Sequence, residues 1–439
     1  MLMLPQDSFH ITPRVFRARR RIELDVRGIA LHRRTEVLQT MGTLSLLWIR
    51  VDGTYLNGDI PRWGRYEGPT EPKVLEDGTL HFTLPAQDEG EIFCRLLVTA
   101  PDGAHTEICT FSIYVLKADL YGLLPLKGDM HVHSSFSACG GRTEDPLDVA
   151  AHAICHGLDF IALTDHVQRE GSEYLMEQLG EWYDGDFQVY PGEECHLIEH
   201  HLEKRVCGPN DFLPSVHIVS FGARDGVIRY ANDHFAEYRA EIGRGMDKLD
   251  PRLPELMRFA MAGSDWIFDK IHEFEGLAIF AHPFWRAVNR LNLPAPVREY
   301  IMRQRKFDAM ELPGLASVGS REYLEGNELA AAFWTEESVK AGKLIPLVGD
   351  TDSHDANTLL GRQYTIVWAP RNRLEDIHEA IRSGRTVTVS FYEKDTAPRL
   401  YGSLRLVSLA RFLIKELFPL AKAERAQEGL ALLQRLRER

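Results

Sequence analysis

From residue 119 onward the chain consists of short apolar runs alternating with longer amphipathic stretches, and nearly every run carries a histidine, aspartate or glutamate at or near one end. About seven runs can be read: GDMHVH (128–133), FIALTDH (160–166), VYPGEECH (189–196), VHIVSFG (216–222), LAIFAHPFW (277–285), FDAMELPG (307–314) and LIPLVGDTDSH (344–354). Continuous apolar runs spaced by helix-length segments are the pattern of parallel βα units, whose strands are buried on both faces. If such strands close into a β/α barrel, their carboxyl ends meet on one face, and residues over two hundred positions apart converge there. The pattern predicts an α/β barrel over 119–395.

The first 118 residues have a different texture. RIELDVRG, LSLLWIRVDG, LHFTLP, IFCRLLVTA and TFSIYVL alternate with period two, with Asp-Gly turns at 52–53, 77–78 and 102–103. That reads as an N-terminal antiparallel β-sandwich over 1–118, without a catalytic constellation. Arg17, Arg19, Arg20 and Arg21 fall within this alternation and read as a solvated strand edge. Over 396–439, LVSLARFLIKELF and LALLQRL have helical spacing. They predict a C-terminal helical segment that packs on the barrel or on a second copy of the chain in a homo-oligomer.

At 439 residues, two or three domains are expected. The net charge of −13 weighs against a polyanionic partner, so neither nucleic acid nor a membrane surface is expected. The N-terminal stretch lacks the layout of a signal peptide, and no apolar stretch is long enough to span a bilayer. Cys94, Cys109, Cys139, Cys155, Cys195 and Cys207 show no CxxC spacing and read as free thiols. A cytoplasmic location is the expectation.

His131 and His133 stand at i and i+2 of a strand, share one face and can hold one cation or two neighbouring ones. Asp165 and His166 close the second run on opposite sides, so that one is a ligand and the other a supporting or substrate group. Glu193 and Glu194 end the third run, where adjacent buried carboxylates are costly without a balancing cation. His217, His282, and Asp352 with His354 continue the series. For any one of these a hydrogen-bonded core or surface residue is the better reading; the whole series argues for a metal site. His196, His200 and His201 read as a polar surface loop, with His196 within reach of substrate. His152 and His156 have zincin-like spacing but no intervening Glu, and read as helix-surface residues.

In the order and strand context of HxH (His131, His133), TDH (His166), GxE (Gly192, Glu194), an isolated His217, AHP (His282) and DxH (Asp352, His354), residues 124–390 resemble the PHP (polymerase and histidinol phosphatase) superfamily of metal-dependent hydrolases. PGEECH, HIVSFG and AHPFW are similar in texture to the branch that includes carbaryl-hydrolase-like metallohydrolases. The resemblance implies a distorted seven-stranded β/α barrel and two or three divalent metal ions, zinc, manganese or iron. One ion would be held by His131, His133, Glu194 and Asp352, and a second by Glu194, His217 and His282, with Glu194 bridging. His166 and His354 would serve a third, whose remaining ligand falls on Ala138 and Cys139 in SACGG, where relatives often have SDG. A thiolate at Cys139 would favour zinc; otherwise the third site is weak or vacant.

The implied chemistry is hydrolysis by metal-activated water. Asp165 is the candidate carboxylate accepting a proton from a ligating histidine or from water, and Arg286 the candidate phosphate contact, ahead of Arg142 and Arg362. Glu311 is placed to support a ligand or touch substrate. The leading expectation is a phosphoesterase acting on a small phosphorylated molecule. The alternatives are hydrolysis of a carboxylic ester, amide or carbamate in a pocket lined by Phe284 and Trp285, and a non-catalytic metal-binding scaffold.

Overall fold

The computed structural model describes residues 9–28, 40–52, 66–137, 144–198, 201–202, 214, 216–287, 290–313, 321–392 and 395–438. Ala138, Cys139, Arg142, His200 and Cys207 lie outside them. The chain divides into two units, residues 1–123 with 408–420, and residues 124–407 with 421–439. Among the described residues, no helix is long and apolar enough to cross a membrane.

In the first unit, alternation buries every second residue: Ile22, Leu24 and Val26 point inward from the strand Ile22–Gly28. A four-stranded antiparallel sheet (Phe9–Thr12, Ile22–Gly28, Leu80–Leu84, Lys73–Val74) shares its core with a five-stranded one (Val15–Arg17, His105–Leu116, Gly90–Thr99, Thr43–Arg50, Glu67–Thr70). One pair departs from the antiparallel expectation: Val15–Arg17 runs parallel to His105–Leu116 at the sheet edge. The four arginines at and after that edge are exposed. Gly78 and Gly103 take the positive φ (81° and 84°) that their Asp-Gly turns require. Cys94 and Cys109 are free and buried, and burial raises both thiols. From the 408–420 segment, Phe412 packs against Tyr114, and Glu416 pairs with Arg14 at 2.8 Å.

The second unit is mixed α/β, and its strands do not form the closed seven-stranded barrel expected from the sequence. They lie in a six-stranded sheet (Gln188–Tyr190, Phe160–Leu163, Leu124–Val132, Gln363–Ala369, Thr386–Ser390, Arg399–Gly402) and a five-stranded sheet (Gly192–His196, His217–Phe221, Leu277–Phe280, Ala309–Pro313, Leu347–Asp350). The run VYPGEECH is split between them. Pro191 has no N–H to continue a ladder, and a Cβ at Gly192 would meet the Leu163 carbonyl oxygen at 2.5 Å, so only glycine allows the crossing. Parallel pairs join Leu124–Val132 to Phe160–Leu163 and Leu277–Phe280 to Ala309–Pro313, but His217–Phe221 is antiparallel to both its neighbours. Single bridges, Val132–Ser353 and His166–Glu194, connect the two sheets where the motif residues lie.

Capping places the first helix of this unit: Asp145 accepts a hydrogen bond from Leu147 N at 3.0 Å, and Pro146 occupies the first turn of Pro146–Cys155. Asp308 ties the far side together, accepting from Ala278 N (2.8 Å), His272 Nε2 (2.9 Å) and Arg382 Nε (2.9 Å). Burial disfavours its charge, but these partners outweigh burial and hold the carboxyl down at about 2. A depressed folded pKa contributes stability above the unfolded value of roughly 3.9, and that contribution is lost as pH falls through about 2. Asp308→Asn is therefore expected to lose about 2 kcal/mol near neutrality and to flatten the acid limb of the stability curve between about pH 4 and pH 2. Urea unfolding across that range checks it; a curve superimposable on wild type would refute it.

Candidate metal centre

The strand directions explain how the motifs meet. Gly192–His196, Leu277–Phe280, Ala309–Pro313 and Leu347–Asp350 run the same way, so their carboxyl ends share one edge. His217–Phe221 runs the opposite way and therefore contributes its first residue there, with His217 opposite His196 and hydrogen-bonded through its carbonyl to Ala281 N at 3.3 Å. From the other sheet, Leu124–Val132 delivers His131 and His133.

At the centre of this convergence is Glu194, fully buried. Its carboxylate oxygens lie 2.6 Å from His166 Nδ1, 2.7 Å from His217 Nδ1, 3.1 Å from His196 Nε2, 3.1 Å from His282 Nε2, 3.5 Å from His131 Nε2 and 3.6 Å from His133 Nε2. Asp352 Oδ1 is 2.9 Å from His133 Nε2 and 3.5 Å from His131 Nε2. His354 stacks on His133 with ring centroids 4.2 Å apart, and its Nδ1 lies 3.0 Å from the Asp352 carbonyl oxygen. All eight metal-ligand candidates read from the sequence are thus gathered in one place, together with His196.

Partners behind the rings fix which nitrogens face inward. Glu311 Oε1 is 2.8 Å from His131 Nδ1, and its Oε2 accepts from His282 N at 2.7 Å. Ser137 Oγ donates to Asp165 Oδ1 (2.7 Å) and lies 3.0 Å from His133 Nδ1, so that nitrogen carries the proton. In His131 this leaves Nε2 facing inward without a hydrogen bond, whereas His133 Nε2 faces Asp352 Oδ1. Asp165 does not touch a candidate ligand side chain, as a direct acceptor would. Both its oxygens are occupied by Ser134 and Ser137, and its influence reaches His133 through Ser137. The helix Glu170–Trp182 presses on this network through Gly171, where a Cβ would sit 2.0 Å from Asp165 Oδ2.

The electrostatics suit a cation. Burial opposes charge on Glu194, but His217, His196 and His131 outweigh it and hold the carboxyl well below the usual carboxylate range. Burial likewise opposes charge on Asp352, and His131, His133 and His354 overcome it. Burial pushes His133 and His217 down to about 3, leaving neutral imidazoles ready to donate lone pairs. Two fully buried atoms, His131 Nε2 and Glu194 Oε2, make no hydrogen bond although polar atoms surround them. Such atoms are costly in an interior. A divalent cation would satisfy both, and the nitrogen and oxygen donors fit one. Three non-glycine residues at or beside the centre occupy positive φ: His282 (φ 23°), Asp352 (φ 50°) and the β-branched Val167 (φ 55°).

Several expectations are corrected. Glu193 faces away from the cluster and accepts from Val227 N (2.7 Å) and Ile228 N (3.1 Å) at the start of the helix Val227–Asp233, so two backbone N–H groups rather than a cation meet it, and burial still pushes the carboxyl up to about 7. His201 is buried at 2% exposure, not on the surface, with Nδ1 3.0 Å from the Tyr238 hydroxyl. Phe284 packs in the core against Phe333, under the Arg298 guanidinium. Trp285 does flank the centre, its ring 5.6 Å from that of His217 and 5.8 Å from that of His282. Arg286 opens the short hairpin that follows, whereas Arg362 lies near His156, which with His152 is half-buried outside the donor groups.

Sequence reasoning missed the two aspartates that brace the site. Asp129 accepts from Thr351 N (3.1 Å) and Thr351 Oγ1 (2.6 Å), and Asp350 accepts from Met130 N (2.9 Å), so each strand end is held by the other's carboxylate. Burial pushes Asp129 up to about 7, and burial together with Asp129 raises Asp350 further. The signal was available: each stands two residues before a candidate ligand, and Asp129 shares a strand face with His131.

The donor groups are compatible with divalent metals. No family model matches the sequence, and no curated protein matches it. PHP-like proteins are among its structural neighbours. A two-domain protein from Bacteroides vulgatus containing a predicted PHP-like metal-dependent phosphoesterase is similar over 67% of this chain and 71% of its own, with 18% identity and a TM-score of 0.42. An endonuclease Q complex with a 27-mer duplex substrate bearing an abasic lesion at the active site is similar over 59% of this chain and 57% of that one, with 17% identity and a TM-score of 0.33. An amidohydrolase from Chromobacterium violaceum with bound sulfate and no metal is similar over 52% of this chain and 87% of its own, with 17% identity and a TM-score of 0.30.

The expectation of a small phosphorylated partner with nucleic acid excluded is not kept, a duplex substrate being present in one of these neighbours. That expectation rested on the charge of the whole chain, and the potential at one face is set by the residues there rather than by the sum.

Proposed function

We propose that this chain is a metal-dependent hydrolase acting on phosphate esters. The observation that carries the reading is the buried Glu194 carboxylate within 3.6 Å of six imidazoles, with Asp352 beside it and two donor atoms lacking hydrogen bonds. His131, His133, Glu194 and Asp352 would hold one cation, and Glu194, His217 and His282 another; zinc, manganese and iron all suit imidazole and carboxylate donors. Bound there, the cations supply Lewis acidity and water acidic enough to act as a nucleophile near neutral pH.

The chain's own residues do the rest. Glu311 and Ser137 fix the protons on His131 Nδ1 and His133 Nδ1, so that both Nε2 lone pairs point inward. Asp165 orients Ser137 and, through it, His133. The Trp285 ring walls the His217 and His282 side against solvent, and Arg286, four residues after His282, orients the phosphoryl oxygens. Water adds in line to phosphorus, the ester bond breaks, and the leaving oxygen takes up the proton that water gives up.

The test is a substrate panel on protein loaded with each metal and on chelator-treated protein: p-nitrophenyl phosphate, bis-p-nitrophenyl phosphate, single-stranded and abasic duplex oligonucleotides, p-nitrophenyl acetate and an aryl N-methylcarbamate. Metal-restored cleavage of a phosphoester, with a raised KM in Arg286→Ala, is the expected result. Turnover confined to the acetate or the carbamate would replace the reading with carbon-centred hydrolysis. Metal uptake without turnover of any member of the panel would leave the metal-binding scaffold, and a wild type that takes up no added metal would end the metal-site reading.

A further inference from the structure

The two cations assigned above leave His166, His196 and His354 unused. His196 stands two residues after Glu194 on the strand Gly192–His196, so both side chains leave the same face. Its Nε2 is 3.1 Å from Glu194 Oε2 and 3.0 Å from His166 Nδ1, and His166 Nδ1 is 2.6 Å from the same oxygen. Glu194 Oε2 itself makes no hydrogen bond. Stacking on His217, with centroids 3.7 Å apart and planes at 15°, fixes the His196 ring in this orientation.

Two imidazole nitrogens and a carboxylate oxygen, each within 3.1 Å of the other two, cannot all be satisfied by protons, because a neutral imidazole nitrogen either donates or accepts. A cation satisfies all three. Donors about 2.0–2.1 Å from a tetrahedral zinc lie roughly 3.3 Å apart, so the observed triangle needs only a slight opening. In sequence, the SACGG segment offers neither histidine nor aspartate as a further ligand.

The geometry points to His196 as a metal ligand that, with His166 and Glu194, holds a third divalent cation. This rests on the reading of the centre as a metal site. It departs from the expected arrangement, in which His166 serves that cation with His354 and a ligand after the HxH motif; His133, His166 and His354 also converge.

Cobalt(II) loading of the full chain tests it, read by elemental analysis and visible absorption. His196→Phe keeps a ring to stack on His217 but has no donor, and it should bind about one cation fewer per chain than wild type while retaining the others. His196→Cys should restore that cation and add a sulfur-to-cobalt charge-transfer band. If His196→Phe does not fold, the band in His196→Cys decides alone. A wild-type complement and spectrum in His196→Phe, or no new band in His196→Cys, overturns the assignment, as does loss of the third cation from His354→Phe with none lost from His196→Phe. If wild type takes up no cobalt, the metal-site reading fails at that first step, before any variant is compared.

Discussion

Glu194→Gln is expected to empty the centre. The substitution keeps the volume of a fully buried side chain and removes the one negative charge that all six imidazoles approach. The neutral amide is a poor bridging donor, so elemental analysis should find most of the metal gone from both proposed positions. Each 1.4 kcal/mol of lost transition-state stabilisation is about tenfold in rate, and Lewis-acid assistance supplies several kcal/mol, so turnover should fall on the order of 10³-fold. Thermal denaturation gives an independent reading. A cation that binds only the folded form raises the melting temperature of wild type in proportion to its affinity, and Glu194→Gln should show no such rise. A variant that keeps the wild-type metal complement would remove Glu194 from the centre altogether.

The second large effect is expected at Glu311, which is fully buried and makes two bonds with different purposes. Its Oε1 holds His131 Nδ1 at 2.8 Å, and its Oε2 accepts from the backbone of His282, where φ is 23°. Glu311→Ala strands both donors in the interior and should cost about 2–4 kcal/mol in denaturant unfolding. Glu311→Gln still offers an oxygen to one of them and should lose much less stability. Its weaker hold on His131 should nonetheless lower metal affinity by about 10- to 100-fold. Equal stability losses in the two variants, with unchanged affinity in Glu311→Gln, would show that Glu311 merely fills space.

What could be read in the sequence, and what could not, follows from the range of each signal. Spacing at i and i+2 is local, so His131 with His133 and Asp352 with His354 stood out, and the apolar runs located their strands. Strand direction is not local. VHIVSFG has the same apolar texture as the parallel strands, and nothing in it announces that it runs backwards and presents its first residue. Nor does VYPGEECH show where it changes sheets until Pro191 and Gly192 are weighed as a missing donor and a close approach. Burial of polar residues was least legible. His201 read as surface because its partner, Tyr238, is 37 positions away, and Glu193 read as a paired carboxylate because the helix that caps it begins at Val227. Asp129 and Asp350 were legible in principle, since the same two-residue rule places them beneath the ligands, but their role lies in bonds between strands 220 positions apart.

That separation has a consequence for how the protein is made. His133 and Asp352 are 219 residues apart in the chain, and His131 and Glu311 are 180 apart. During synthesis the HxH strand leaves the ribosome long before the residues that complete its surroundings, and it waits with two unshared imidazoles. Closing so long a loop costs entropy before its contacts form, so the position that needs Asp352 is expected to assemble late in folding. Metal at the His131, His133, Glu194 and Asp352 position would therefore report a chain made at least to residue 352, whereas Glu194, His217 and His282 are all in place by residue 282.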